Sequence, residues 1–188
     1  CLDRDARYYV SVLFNGQNWI NSYEAERPVT FFVGGTSPYG GADGDQVKNG
    51  FLIRRFLNPD FDIDNDRRAT YSWPFFRYAE ILFNYAEACN EKTNRDGAEA
   101  VRVLNLIRER CGGKAIDEAY PGIAGDQALL RTVIRKEKMV EMAFENLRYY
   151  DIRTTMTAPQ EANGKRYGLN LLATNYDDSW ERTDRICS

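Results

Sequence analysis

The stretch FRYAEILFNYAEACNE, Phe76 to Glu91, decides how the rest of this chain is read. Starting from Phe75, Ala79, Leu82, Ala86 and Cys89 recur at the four-three-four-three spacing of one helix face, and Tyr78, Leu82 and Tyr85 widen that stripe. The segment is therefore predicted to form a helix that begins after Pro74 and is apolar almost all round. Ala79, Ala86 and Ala88 leave room for a neighbouring helix to approach closely. Yet Arg77 and Glu80 stand in the first turn, and charges brought into an apolar setting need partners, because an unpaired buried charge is strongly destabilising.

Further along the chain, the polar break EKTNRDG is followed by Ala100, Val103, Leu104, Ile107 and Cys111, a second apolar face that stops at Gly112-Gly113. Two helices joined by a short turn predict an antiparallel hairpin. A third helix is predicted from Asp126, a good N-cap, to about Tyr150. Its stripe is Leu129, Val133, Val140, Phe144 and Leu147, with Glu137 where an apolar residue should fall. Arg77, Arg148 and Arg153 are the candidate partners of Glu137. Arg77, Glu80, Glu137, Arg148 and Asp151 are accordingly expected to form an ionic lattice fixing the third helix on the first. Their place on packing faces argues for a scaffold rather than a catalytic pair.

The flanking regions have a different texture. ARYYVSVLFNG is enriched in β-branched and aromatic residues and ends at Asn15-Gly16, which predicts a strand and a turn. From Gln17 to Gly50 the sequence is polar, aromatic and glycine-rich, which predicts a long surface loop. Beyond Asp151 it is polar, and no regular terminal element is expected. The reading is one domain over 1–188, with a loop-rich segment (1–70), a helical core (71–153) and an irregular tail (154–188).

Composition narrows the function. With 43% hydrophobic and 28% charged residues among 188, the chain is a globular domain with enough apolar surface for a core. A formal net charge of −3 and the lack of any Lys/Arg run speak against nucleic acid. No apolar run reaches bilayer length, and the first residues lack the pattern of an export signal. Cys1, Cys89, Cys111 and Cys187 form no CxxC pair, and Cys89 reads as a buried free thiol. The absence of histidine removes Ser/His and Cys/His dyads and every His-ligated metal site.

Binding chemistry is sought in the loops. Trp19, Tyr23 and Tyr39 stand in polar, glycine-rich sequence beside Asn15, Gln17, Asn18, Asn21 and Asp43. Sugars present apolar CH faces next to dense hydroxyls, so flat rings with amide and carboxylate groups suit them. Trp19, Tyr23, Tyr39, Asn18 and Asp43 are the expected ligand contacts, with packing of the loop onto the helices as the alternative for each ring. Trp73, beside Pro74, reads as core or a staple, and Trp180 is open to either role. The run DFDIDND places Asp60, Asp62 and Asp64 at alternate positions like the start of a calcium loop, but Asn65 and Tyr71 stand where such a loop needs glycine and glutamate. Calcium is the single metal candidate, with an exposed acidic turn as the alternative. No other cofactor is expected.

Taken in order, FFRYAEILFNYAEACNE, LNLIRERCG and LRTVIRKEKMVEMAFENLRYYDIR resemble the C-terminal half of the SusD/RagB family, surface glycan-binding lipoproteins of Bacteroidetes. Upstream, DARYYVSVLFNG is similar to that family's Asp-Pro-Arg segment, with Ala6 in place of proline, and NGFLIRRF to its Gly-Tyr-basic segment. Lys138 and Asn146 stand where the family commonly has arginine and glycine. The resemblance implies a mainly α fold with tetratricopeptide-like hairpins, and a chain that is part of a longer protein. It also implies an outer-membrane lipoprotein that captures oligosaccharide or polysaccharide and hands it to a SusC-like TonB-dependent transporter. Cys1 falls where the match is already mid-family, so the lipid anchor is expected outside this chain. The expected function is nutrient binding without catalysis. The alternatives are a helical protein-interaction module and a carboxylate-based glycoside hydrolase using Asp43 and Asp45 or the acidic run.

Overall fold

The structure, a computed structural model, describes residues 4–19, 27–37, 47–62, 65–164 and 166–185. It divides into two units, Cys1–Tyr9 with Pro74–Thr154 and Val10–Trp73 with Thr155–Ser188. The fold is mainly α, and among the described residues no helix is long and apolar enough to cross a membrane.

The first unit is built on α2 (Tyr78–Glu91), α3 (Gly97–Arg110) and α5 (Gln127–Glu141), with the short α4 (Ile116–Ala119) and a 3-10 turn (Ile123–Gly125) between the last two. Phe83, Ala86 and Cys89 of α2 meet Ala100, Val103, Leu104 and Ile107 of α3 and Leu130, Val133 and Ile134 of α5 in one buried core. The αα-hairpin follows from local chemistry. Asp96 caps α3 by accepting a bond from the Glu99 N–H at 3.0 Å, and Gly112, with φ at 69°, takes the left-handed position that ends it. Asp126 caps α5 in the same way, accepting from the Leu129 N–H at 2.9 Å.

Several expectations are corrected here. The first helix starts at Tyr78, leaving Phe75 97% exposed. Tyr78 and Tyr85 are exposed too, and Phe83 takes the central core position instead. The third helix stops at Glu141, and a separate helix, α6 (Leu147–Thr154), follows a tight turn. In that turn Phe144 and Asn146 adopt φ of 68° and 62°, a region that continues no right-handed helix. The buried face of α5 is Leu130, Val133, Ile134, Glu137 and Glu141, so Leu129 lies on the exposed side.

Asn146 is well suited to its place, because asparagine tolerates the left-handed region better than other side-chain-bearing residues. Glycine, the residue common there in the family the sequence resembles, suits it for the same reason. Asn146→Val is expected to lower stability by about 1–2 kcal/mol, since a β-branched residue meets the full steric penalty. Urea denaturation measures this, and an unchanged midpoint would show that the turn is not held as described.

In the chain's first segment, the run read as one strand is split. Residues Ala6–Ser11 form α1, and only Val12–Phe14 form a strand, β1. Asp5 explains the difference, because its carboxylate accepts the Arg7 N–H at 2.9 Å and its carbonyl accepts the Tyr8 N–H, starting a helical turn. In the second unit β1 pairs antiparallel with β2 (Phe51–Ile53), in the register Val12↔Ile53 and Phe14↔Phe51. The tail is more regular than expected. It holds α7 (Ala158–Ala162), a 3-10 turn (Asp178–Trp180) and an antiparallel pair, β3 (Arg166–Leu169) with β4 (Arg182–Arg185).

A second core, Leu13, Val29, Phe31, Val47, Leu169 and Leu171, ties these pieces together. Val29, Phe31 and Val47 belong to the segment read as a surface loop, so part of it is interior. Asn15 is the buried pin: its amide donates to Ser179 Oγ at 2.7 Å and its carbonyl oxygen accepts the Phe31 N–H at 2.9 Å. Gly50 has φ at 81°, and a Cβ there would strike the Leu169 side chain, so both conformation and packing require glycine.

Candidate functional site

Two groups of side chains stand out, one in each unit. In the first unit the carboxylates of α5 meet arginines from three other segments. Glu137 Oε1 accepts Arg108 Nη2 at 2.5 Å, and its Oε2 accepts Arg7 Nη2 at 3.1 Å. Glu141 Oε1 accepts Arg110 Nη2 at 2.5 Å and Arg77 Nη1 at 3.1 Å. Arg77 also grips Glu145, at 2.8 Å from Nε and 2.7 Å from Nη2. Arg7 adds Asp5 at 2.6 Å, so the guanidinium and carboxylate charges of the cluster balance.

Burial works against charge on Arg7, but its bond to Asp5 and the nearby Glu137 outweigh it and hold the guanidinium charged. The same opposition holds at Arg77, where Glu145 and Glu141 overcome the cost of burial. Asp5 in turn has its carboxyl held below the ordinary value, chiefly by the bond from Arg7. Such pairing fixes packing, because removing either partner strands a buried charge.

The predicted lattice is thus partly assembled and partly rearranged. Arg77 and Glu137 both lie in the cluster but do not pair with each other, and Glu137 takes Arg7 and Arg108 rather than Arg77, Arg148 or Arg153. Among the described residues Glu80 has no ion pair, and it sits in the first turn of α2, where a carboxylate favours the helix dipole. Asp151 pairs with Lys138 at 2.8 Å, a contact that ties α6 to α5. Arg148 lines a groove together with Met142, Phe144, Asn146, Tyr149 and Tyr150. Arg7, Arg108, Arg110, Glu141 and Glu145 escaped the sequence reading. Helix periodicity singles out a charge on an apolar face, but not the arginines delivered from other segments; Glu141, one turn beyond Glu137 on the same face of α5, lay within its reach.

In the second unit the notable feature is an exposed aromatic surface on the loop after β2. Phe56 and Trp73 stack with ring centroids 4.5 Å apart and planes 36° apart, and Phe61 and Tyr71 form a second pair at 6.0 Å. Trp73 and Tyr71 are 51% and 49% exposed. Trp73 is therefore neither core nor staple. Asn58 pins the loop, donating to the Thr70 carbonyl at 3.2 Å while accepting the Asp60 N–H at 2.9 Å. The bridge between Asp62 and Arg67 pins it a second time. Phe56 has φ at 73°, a costly conformation for an aromatic residue, and such strain clusters at functional sites. Arg55 lies 5.6 Å over the Phe56 ring. Flat rings are thereby held open to solvent beside charged groups, an arrangement suited to the CH face of a sugar.

Of the ligand contacts expected from sequence, Trp19 and Asn18 are among the described residues. Trp19 is half-buried at the rim of the second core, with Phe51 and Trp180 as neighbours in that role. It also lines a narrow cleft with Leu13, Arg54, Leu57 and Pro59. Asn18 is exposed and bridges to Pro28. Tyr23, Tyr39 and Asp43 lie outside the described residues. So does Asp64 of the calcium candidate. Asp62 is buried and closes its own turn, accepting from the Asn65 side chain at 2.7 Å and backbone at 3.3 Å, while Asp60 is exposed. Among the described residues no group of three or more His, Cys, Asp or Glu side chains is placed to hold a metal ion.

Comparison with known proteins agrees with this architecture. The model of the SusD family matches residues 1–186. SusD-like protein P2 of Formosa agariphila is 36% identical over 94 residues, which cover 48% of this chain and 18% of that protein. Among solved structures, the protein BT4246 is similar at a TM-score of 0.80 and 22% identity, over 96% of this chain and 31% of that one. A SusD-like carbohydrate-binding protein from Bacteroides fragilis is similar at a TM-score of 0.66 and 23% identity, over 89% of this chain and 32% of that one. At these identities the structures speak to fold, and the chain spans less than a third of the length of the proteins it matches. A helical hairpin closed by α5, a loop-rich second unit and a family match running almost end to end lead to one conclusion: this chain belongs to the SusD family.

Proposed function

We propose that this chain supplies part of a glycan-binding surface in a longer, non-enzymatic outer-membrane lipoprotein that passes oligosaccharides to a SusC-like TonB-dependent transporter. The observation that carries the proposal is the half-exposed Trp73, stacked on Phe56 at the base of a doubly pinned loop. Family membership and the fold shared with a protein described as carbohydrate-binding support it. The reading involves no bond cleavage. The carboxylates of the α5 cluster are committed to guanidinium partners, and Asp62 is spent on its own turn.

Isothermal titration calorimetry of the full-length protein against a panel of oligosaccharides tests this, with product analysis after long incubation. Saturable binding without cleavage is expected. Trp73→Ala is expected to weaken it about tenfold or more, as loss of a central aromatic contact does. It should leave the melting temperature nearly unchanged, because the ring is half-exposed. Binding untouched by Trp73→Ala would remove this surface from the site. Cleavage of a sugar would overturn the non-enzymatic reading.

A further inference from the structure

The loop after β2 has two limbs, 56–62 and 67–73, whose contacts follow one order. The Asp62–Arg67 bridge closes the far end, with backbone bonds of 3.0 and 2.8 Å in the two directions. Phe61 then meets Tyr71, and Phe56 meets Trp73 at the base. The ring pairs are successive rungs between the limbs, and the bond from Asn58 to the Thr70 carbonyl joins the limbs beside them. In each rung the ring from the second limb is about half open to solvent.

The second limb sets the spacing of those open rings. Residues 68–74 run without turn, bend or helix. Pro74 holds Trp73 extended, because a proline ring clashes with a helical residue before it. In an extended segment, residues two apart project to the same side and stand roughly 6–7 Å apart. Tyr71 and Trp73 are two apart, and both reach rings of the same opposing limb, as projection to one side requires. Their rings therefore form a short row. The row is longer than a single pyranose ring, and Phe61 and Phe56 back it along its length.

Resting on the glycan reading above, we infer that this row takes a β-linked, ribbon-like glycan of the cellulose, mannan or xylan type, with one sugar residue over Trp73 and another over Tyr71. In such a chain the pyranose rings lie along a line and present flat CH faces, the surfaces that aromatic rings stack against. An α-linked chain of the amylose type coils, and its faces turn away from rings set in a row. A disaccharide fills the Trp73 rung without a firm hold on the second, whereas a chain of four residues spans both. Tyr71 is then a determinant of chain length, and Trp73 of binding itself.

Calorimetry of the full-length protein tests this with size ladders, from disaccharide to hexasaccharide, of cello-, manno-, xylo- and malto-oligosaccharides. One of the first three ladders is expected to bind, its tetrasaccharide about tenfold or more tighter than its disaccharide. Tyr71→Ala is expected to abolish that gain while changing disaccharide affinity by less than about twofold, since the two rungs act independently. Tyr71→Leu, which keeps apolar bulk against Phe61 but has no flat face, is expected to behave as Tyr71→Ala does, and Tyr71→Phe is expected to keep the gain. Unchanged melting temperatures establish that the variants are folded. Tetrasaccharide binding untouched by Tyr71→Ala but weakened by Trp73→Ala would overturn the second rung and leave the glycan reading standing. Preference for the malto ladder would overturn the ribbon class. Binding insensitive to both substitutions would remove the whole surface from the site, and no binding to any ladder would overturn the inference outright.

Discussion

Glu137→Ala is expected to destabilise the protein by about 3–5 kcal/mol, the cost of removing one partner from a buried ion pair. The carboxylate bridges Arg7 and Arg108, whose side chains are 9% and 16% exposed, so its removal leaves the largely buried Arg108 without this partner and Arg7 with Asp5 as its near pair. Arg7 belongs to α1 and Arg108 to the last turn of α3, so the loss loosens two segments at once. Arg110→Ala supplies the contrast. Its side chain is largely exposed and Glu141 keeps Arg77, so a change within about 1 kcal/mol is expected. Urea denaturation of both variants makes the comparison. Equal midpoints for Glu137→Ala and the unsubstituted protein would show that the cluster does not hold the helices. A stable Glu137→Ala protein that had lost sugar binding would move the cluster from scaffold to site.

Phe83→Ala is expected to cost about 3–5 kcal/mol, because it removes a whole buried ring and leaves a cavity that the surrounding helices fill only partly. Phe83 is 1% exposed and belongs to the core shared by α2, α3 and α5. Thermal and urea melts are the measurements. Leu at this position should recover much of the loss, since the site asks for apolar volume rather than aromatic character. A loss of under 1 kcal/mol for Phe83→Ala would mean that α2 buries a different face.

The helices themselves were readable because their determinants are local. Asp126 before an apolar run, Gly112-Gly113 after one, and apolar residues at three-to-four spacing act within a few residues of each other. Where two faces of one helix are both apolar, as in α2, spacing alone cannot say which is buried. Tyr78 and Tyr85 therefore read as core while Phe83 took that place. The helix over Gln127–Glu141 read too long for a related reason. Phe144 and Leu147 fit the period, and only the positive φ of Phe144 and Asn146 shows that the chain turns there.

The aromatic surface was less legible. Trp19 stands in polar sequence and Trp73 in the apolar run before the first helix, yet Trp19 packs at the rim of the second core and Trp73 opens to solvent. Exposure of a ring depends on what the rest of the chain lays over it, and the bond from Asn58 to Thr70 that presents Phe56 and Trp73 spans twelve residues.

What the sequence by itself determined was a mainly helical domain without histidine chemistry, an αα-hairpin with a capped helix behind it, and the presence of a carboxylate at 137 that had to find a cation. These follow from periodicity, capping and desolvation, which operate over short range or on a single side chain. The tertiary structure alone decided which cations these were, which tryptophan faces solvent and which side of α2 stays uncovered. Each depends on segments far apart in the chain being brought within a few ångströms. Arg7 and Glu137, 130 residues apart, meet at 3.1 Å because helix packing puts them there.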